Sequence, residues 1–239
     1  MAQIIKRQSE QKKPKKSPLI PIAFFCFAVA ILNFVLSSFV IGFLCVVIGA
    51  VLLGVAPGSS GQSAAENAGM VGETATANLI RQLPEGYYGF QNVHITFDGK
   101  PSEMDMVVVG RTGVFIIETK HHNGNICGSY EDHDWMQYKI GRRGGQYNKQ
   151  FYSPVKQVGT HVYRLAHFLR GKGVNVHVDA MVFFTNPEAY LRITGTPGNI
   201  PVYAGQPGAE ALCRQIMAGQ SQLSPQQIHA ICNLLNQCL

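Results

Sequence analysis

Apolar positions along the chain follow two regimes. Residues 19–56, LIPIAFFCFAVAILNFVLSSFVIGFLCVVIGAVLLGVA, hold no ionisable group except the thiols of Cys26 and Cys45. From about Met70 onward, apolar residues recur instead at the periods of helices and strands. Glu73–Leu83 predicts a helix closed by Pro84, and Tyr88–Thr96 a strand rich in aromatic and β-branched residues, followed by a turn at Asp98-Gly99-Lys100-Pro101. Met104–Val109 and Val114–Lys120 predict a hairpin about Arg111-Thr112. Asn125–Tyr130 and Trp135–Ile140 predict shorter strands, and 141–150, GRRGGQYNKQ, a loop.

In Pro154–Leu169 the apolar positions Val155, Val158, Val162, Leu165, Ala166 and Leu169 fall at helical spacing, with Pro154 in the first turn and Gly171 past the end. Val176–Thr185 is almost wholly apolar or β-branched, as a strand covered on both faces requires. A strand at Ile200–Tyr203 and helices at 207–218 and 225–237 complete the order. Helix, three strands, helix, strand, strand, helix predicts an α/β sandwich with a mixed sheet. No internal repeat is present.

The length of the apolar segment decides its reading. At ~1.5 Å per residue a straight helix over 19–56 would run about 57 Å, whereas a bilayer core is about 30 Å thick. A transmembrane helical hairpin, folded back near Asn33 or Ser37-Ser38, fits that length. One tilted helix and a cleaved signal are the alternatives. The preceding tail carries Lys6, Arg7, Lys12, Lys13, Lys15 and Lys16 against Glu10 alone, which favours a cytoplasmic tail. A hairpin would return the remaining chain to the cytoplasmic side; a single crossing would deliver it outside.

The expected organisation is therefore a basic tail at 1–18, membrane segment at 19–56, flexible linker at 57–69, a main domain at 70–218 and a C-terminal helix at 219–239. The formal charge of +6 resides almost entirely in the tail, since 17–239 hold fourteen Lys and Arg against thirteen Asp and Glu. The basic balance thus speaks for topology and lipid headgroups more than for nucleic acid. Six cysteines without a CxxC pair indicate neither a zinc cluster nor a disulfide framework.

The hairpin raises the chemical question. With Arg111-Thr112 as a two-residue turn, Val109 faces Val114, Val107 faces Ile116, and Asp105 faces Glu118. Lys120 shares the face of Glu118, and Thr119 points away. Opposed Cβ atoms lie about 4.5–5.5 Å apart, so two carboxylates there repel unless a cation separates them. Mg²⁺ is commonly held by one or two carboxylates with water and phosphate. The bland alternative is a solvated strand end with an ordinary Glu118–Lys120 ion pair.

These pieces together resemble the nuclease-related domain, NERD, of the PD-(D/E)XK nuclease superfamily: GET at 72–74, EMDMVVVGRTGVFIIETK at 103–120, NGNICG at 123–128, Trp135, and SPVKQV at 153–158. The resemblance covers about residues 70–187. It implies a restriction-endonuclease-like αβββαβ fold in which Asp105 and Glu118 ligate Mg²⁺ (or Mn²⁺) and Lys120 positions or activates the hydrolytic water. It also implies that Glu73 approaches the metal and that Gln157 bonds within the site or touches the substrate backbone. Ser153-Pro154 stands where many such sequences read Asn-Pro, which touches the helix entry more than the metal site.

His121, His122, Cys127 and His133 match no established zinc spacing. Arg142, Arg143, Lys149 and Lys156, interleaved with Tyr147, Phe151 and Tyr152, form a candidate strip for nucleic-acid phosphates, with rings for stacking. No GxxxxGK[ST], GxGxxG or GxSxG motif is present. The leading expectation is a membrane-anchored, metal-dependent nuclease acting on DNA or RNA from the cytoplasmic face. The alternatives are a catalytically silent nucleic-acid-binding or scaffold module tethered to the bilayer, and an external receptor or transport accessory if the segment crosses once.

Overall fold

The computed structural model describes residues 1–6, Ile22, Phe25, 64–140 and 144–239. The expected membrane segment at 19–56, save those two residues, the linker stretch 57–63 and the pair Arg142 and Arg143 lie outside the described residues. Among the described residues no helix is long and apolar enough to cross a membrane. Met1–Arg7 and Ala64–Leu239 form one compact unit.

Its elements are β1 (Gln3–Lys6), α1 (Ala64–Ile80), β2 (Tyr88–Phe97), β3 (Lys100–Gly110), β4 (Gly113–Lys120), β5 (Gly124–Ser129), β6 (Asp134–Ile140), β7 (Gln146–Tyr152), α2 (Pro154–Gly171), β8 (Val178–Phe184), β9 (Ala189–Thr194), β10 (Val202–Ala204), α3 (Gly205–Met217) and α4 (Pro225–Asn236). The class is α/β with mixed sheets, as expected. Where the sequence predicts one sheet there are two: six strands in the order β1-β2-β3-β4-β8-β10 and four in the order β7-β6-β5-β9.

Period-two alternation builds two cores on the larger sheet. Val107, Val109, Val114 and Ile116 face α2 and α4, with Trp135 and Ile126 of the smaller sheet in the same cluster. Val108, Met106, Phe115 and Ile117 face α1 and α3. The β3–β4 register is the one read from the sequence: Gly110 opposes Gly113, Val109 opposes Val114 and Val107 opposes Ile116. Strand β8 joins β4 in parallel, setting Val182 beside Glu118 and Phe184 beside Lys120.

Four elements depart from expectation. The basic tail contributes β1, a parallel edge strand on β2, because Ile5 packs into one core and Ile4 into the other; its charges conceal that alternation. Helix α1 begins at Ala64, inside the expected linker. The loop expected at 141–150 contains β7, which pairs antiparallel with β6 from Gln146 to Tyr152. Strand β9 has no counterpart in the expected order; it is an edge strand whose half-exposed alternation carries little apolar signal, and its pairing with β5 is long-range.

Candidate active site

Site residues come from α1, the middle of β3, the C-terminal end of β4 and the first half of α2. Asp105 lies one step beyond the Met106–Ile117 pair, where the alternation of β3 breaks: Met104 and Val107 both pack into the core under α2, while Met106 packs into the other. Glu118 continues the face of Val114 and Ile116, and its charge acts on Asp105, so the two acids are neighbours. The backbone N–H of Thr119 donates to Asp105 Oδ2 at 2.8 Å, fastening the end of β4 to the middle of β3.

Glu118 is 1% exposed. Lys120 Nζ donates to Glu118 Oε1 at 2.7 Å and to Gln157 Oε1 at 3.1 Å. Pro154 at the first turn and the Ser153 hydroxyl, which accepts from the Lys156 N–H, start α2 at the register that turns Gln157 inward. Asp105 is pushed up to about 7 by burial first and then by the neighbouring Glu118 charge, against the opposing pull of the Thr119 N–H and Lys120. Burial likewise raises Glu118, with Lys120 pulling it down.

Glu73 sits near this pair, adding a small repulsion to Asp105. Its Oε2 accepts from the amide of Asn92 at 3.2 Å, and Asn92 occupies the left-handed backbone region at φ 54°. Gly72 explains the GET stretch: a Cβ there would meet His121 Cβ at 3.1 Å and Thr119 Cγ2 at 3.2 Å, so glycine lets α1 lie close against the end of β4. Thr76 and Thr119 exchange a buried hydroxyl bond of 3.0 Å on that side.

His161 escapes the sequence reading. It lies one turn beyond Gln157 on the same face of α2, and its Nδ1 is 2.7 Å from the Ser102 hydroxyl. Its Nε2 faces Glu118 Oε2 at 3.5 Å, and among the described residues these are the two buried side-chain atoms without a hydrogen-bond partner. Burial holds the imidazole neutral, pushed down to about 4. If Ser102 donates to Nδ1, the ring proton sits on Nε2 and faces the carboxylate; the other tautomer sets lone pairs against each other. Ser102 is 6% exposed, so this Ser-His-Glu string supports Glu118 and offers no accessible nucleophile. A signal does exist in the chain: a histidine inside the apolar stripe of α2.

A cleft of about 740 Å³ opens over Lys120, lined also by His121, His122, Gln137, Lys139, Tyr147 and Lys149. Lys149 thus reaches the cleft. Lys156 instead lines a separate groove with Tyr130 and Tyr163, so the expected four-residue basic strip does not converge within the described residues. His122 is bound to Gln137 at 3.1 Å and stacks on Phe151, while His121 bonds Thr185 at 2.8 Å. Among the described residues no three His, Cys, Asp or Glu side chains converge as a metal-binding group.

Residues 68–185 match the nuclease-related domain, NERD. That span contains Glu73, Asp105, Glu118, Lys120, Gln157 and His161. A stretch of 92 residues is 33% identical to an uncharacterized protein of Bacillus anthracis, covering 38% of this chain and 43% of that protein. The chain thus aligns with less than half the length of this relative. No solved structure matches the chain. The match runs from within α1 through β8, and β9, β10, α3 and α4 lie beyond it.

Proposed function

We propose that the nuclease-related domain hydrolyses phosphodiester bonds of DNA or RNA with a divalent cation. The observation that carries this reading is the neighbouring pair of half-buried Asp105 and buried Glu118, with the Lys120 ammonium held beside Glu118 by that carboxylate and Gln157. Two neighbouring carboxyls, both raised by burial and Asp105 also by the Glu118 charge, fit a small hard ion, and Mg²⁺ or Mn²⁺ completes its shell with water and phosphate oxygens where few protein ligands converge. Asp105 and Glu118 would hold the ion, which supplies Lewis-acid polarisation and a more acidic bound water.

The chain's own groups have distinct tasks. Lys120, fixed at two acceptors, presents a positive charge where the phosphate gains negative charge. Gln157 keeps that ammonium oriented, and His161 backs Glu118 from inside the domain. The Thr119 N–H fixes the carboxyl of Asp105. Glu73, tied to Asn92, adds a carboxylate at the rim.

Residues 19–56 support a membrane anchor by hydropathy and length. The strand β1 bears on its topology, because the chain leaves the domain's sheet after Lys6 and re-enters the same unit at Ala64. Both ends of the intervening segment must then lie on one side of any bilayer, which favours two crossings over one. With the basic tail, this supports a domain on the cytoplasmic face.

The test uses the full-length chain with labelled single- and double-stranded DNA and RNA, in Mg²⁺, Mn²⁺ or EDTA, beside Asp105→Ala and Lys120→Ala. Metal-dependent cleavage lost in both variants is the expected result. Binding without cleavage in any metal would instead establish the silent, tethered module.

A further inference from the structure

The smaller sheet packs one face on the core through Ile126, Trp135, Phe151, Leu191 and Ile193. Its other face is open. Cross-strand register places one row on that open face: Asn148 opposes Tyr138, Tyr138 opposes Asn125, and Asn125 opposes Tyr190. Tyr138 is 44% exposed and Tyr190 64% exposed. The next row carries Gln150, Met136, Cys127 and Arg192. Two exposed rings, amides beside them, and an arginine one row away are the groups that stack on and hydrogen-bond unpaired bases.

This face is continuous with the cleft over Lys120. Tyr138 and Tyr190 line a cavity of about 860 Å³ together with Asn123, Lys139, Ile140 and Tyr147. Those last four residues also line the Lys120 cleft. Lys139 lies over the Tyr147 ring at 5.1 Å, so a cation and a ring stand together at the junction. Glu188 is the one carboxylate lining the larger cavity among the described residues, against the two lysines Lys139 and Lys149 across the pair of cavities.

We propose that the open face of the smaller sheet is a stacking platform for single-stranded nucleic acid, with Tyr138 and Tyr190 as its rings, feeding the strand toward Lys120. The platform deepens the nuclease reading and rests on it for its purpose. Tyr138 and Tyr190 are two strands apart, about 10 Å at the usual strand spacing, which an unstacked strand spans by placing one base on each ring. A duplex keeps its bases paired and stacked inside, and offers such a face nothing to stack on. Lys139 and Lys149 then meet the backbone phosphates as it enters the cleft.

Binding is measured apart from cleavage. The full-length Asp105→Asn chain, in EDTA, is titrated against labelled oligo(dT), oligo(U) and a duplex of equal length, following anisotropy. Single strands should bind at least tenfold more tightly than duplex. Tyr138→Ser with Tyr190→Ser should weaken single-strand binding by about tenfold or more while leaving its salt dependence unchanged, because the phosphate contacts remain. Tyr138→Phe with Tyr190→Phe should bind like the parent, since the rings persist. Fluorescence of Trp135, the single tryptophan of the chain, checks that each variant is folded. Equal affinity of the serine variant and parent, or preference for duplex, overturns the platform. If cleavage is absent in every metal but ring-dependent binding holds, the nuclease reading fails and the platform stands. Cleavage with ring-independent binding gives the reverse.

Discussion

The Thr119 N–H and the Asp105 carboxylate meet at 2.8 Å, so the residue between Glu118 and Lys120 holds the second acid in place. Asp105→Asn keeps an oxygen that can accept this bond and removes the charge, whereas Asp105→Ala removes both. Both variants should lose metal-dependent cleavage by at least about a hundredfold. In thermal melts in EDTA at pH 8, Asp105→Asn should exceed Asp105→Ala by roughly 1 kcal/mol or more. Equal stability of the two would show that the Thr119 bond does not fix the acid.

Lys120 serves two acceptors, and its removal frees both. Lys120→Ala should lower kcat by about 10² to 10³, and Glu118, 1% exposed, should take up a proton at higher pH than in the parent. Gln157→Ala leaves the Glu118 contact intact and should cost only about tenfold, less than the roughly 10²–10⁴ of a group that itself moves a proton. A Gln157→Ala loss as large as that of Lys120→Ala would place Gln157 directly on the reacting groups.

Asp105 and His161 impose opposite pH slopes on stability. Asp105 rises from 3.8 to about 7 on folding, so its stabilising contribution is full below pH about 3.8 and is lost as pH climbs toward 7. His161 falls from 6.5 to about 4, so its contribution is full above pH about 6.5 and is lost as pH drops toward 4. Between about pH 4 and 6.5 the two partly cancel in metal-free parent protein. Glu118, also raised by burial, slopes the same way as Asp105, so Asp105→Asn should shift the slope of stability against pH in the positive direction relative to the parent across that window, read by urea unfolding in EDTA at several pH values. A slope unchanged from the parent refutes the Asp105 shift.

The hydroxyl pair Thr76 and Thr119 ties α1 to β4 on the face away from the acids. Thr76→Val keeps the shape and leaves the Thr119 hydroxyl without that partner, costing about 1–3 kcal/mol. The loss should appear in melting temperature with kcat altered by less than about threefold, because the hydroxyls do not touch the acids. A large kcat loss at unchanged stability would contradict this division.

The β3–β4 hairpin is legible in the sequence because its two determinants are local. A two-residue turn sets the register, and side chains alternate with period two, so Glu118 and Lys120 fall on one face of β4 by counting alone, whereas Asp105 lies where the alternation of β3 breaks. The stripe Val155, Val158, Val162, Leu165 likewise gives α2, and with it the inward Gln157. The basic strip is harder to read, since Lys149 and Lys156 are close in sequence but sit on β7 and on the far side of α2.

By itself, then, the sequence determined what neighbours along the chain decide: the hairpin strands that carry the acids, the helix that faces them, and the long uncharged segment. Tertiary structure decided the rest. Strand β1 exists because Tyr88–Gln91 offers it an edge, and β9 exists because β5 does. His161 matters because α2 crosses over the end of β4 and buries its ring against Glu118. In each case the stabilising partner is distant in sequence, and pairing or burial, rather than local propensity, fixes the conformation.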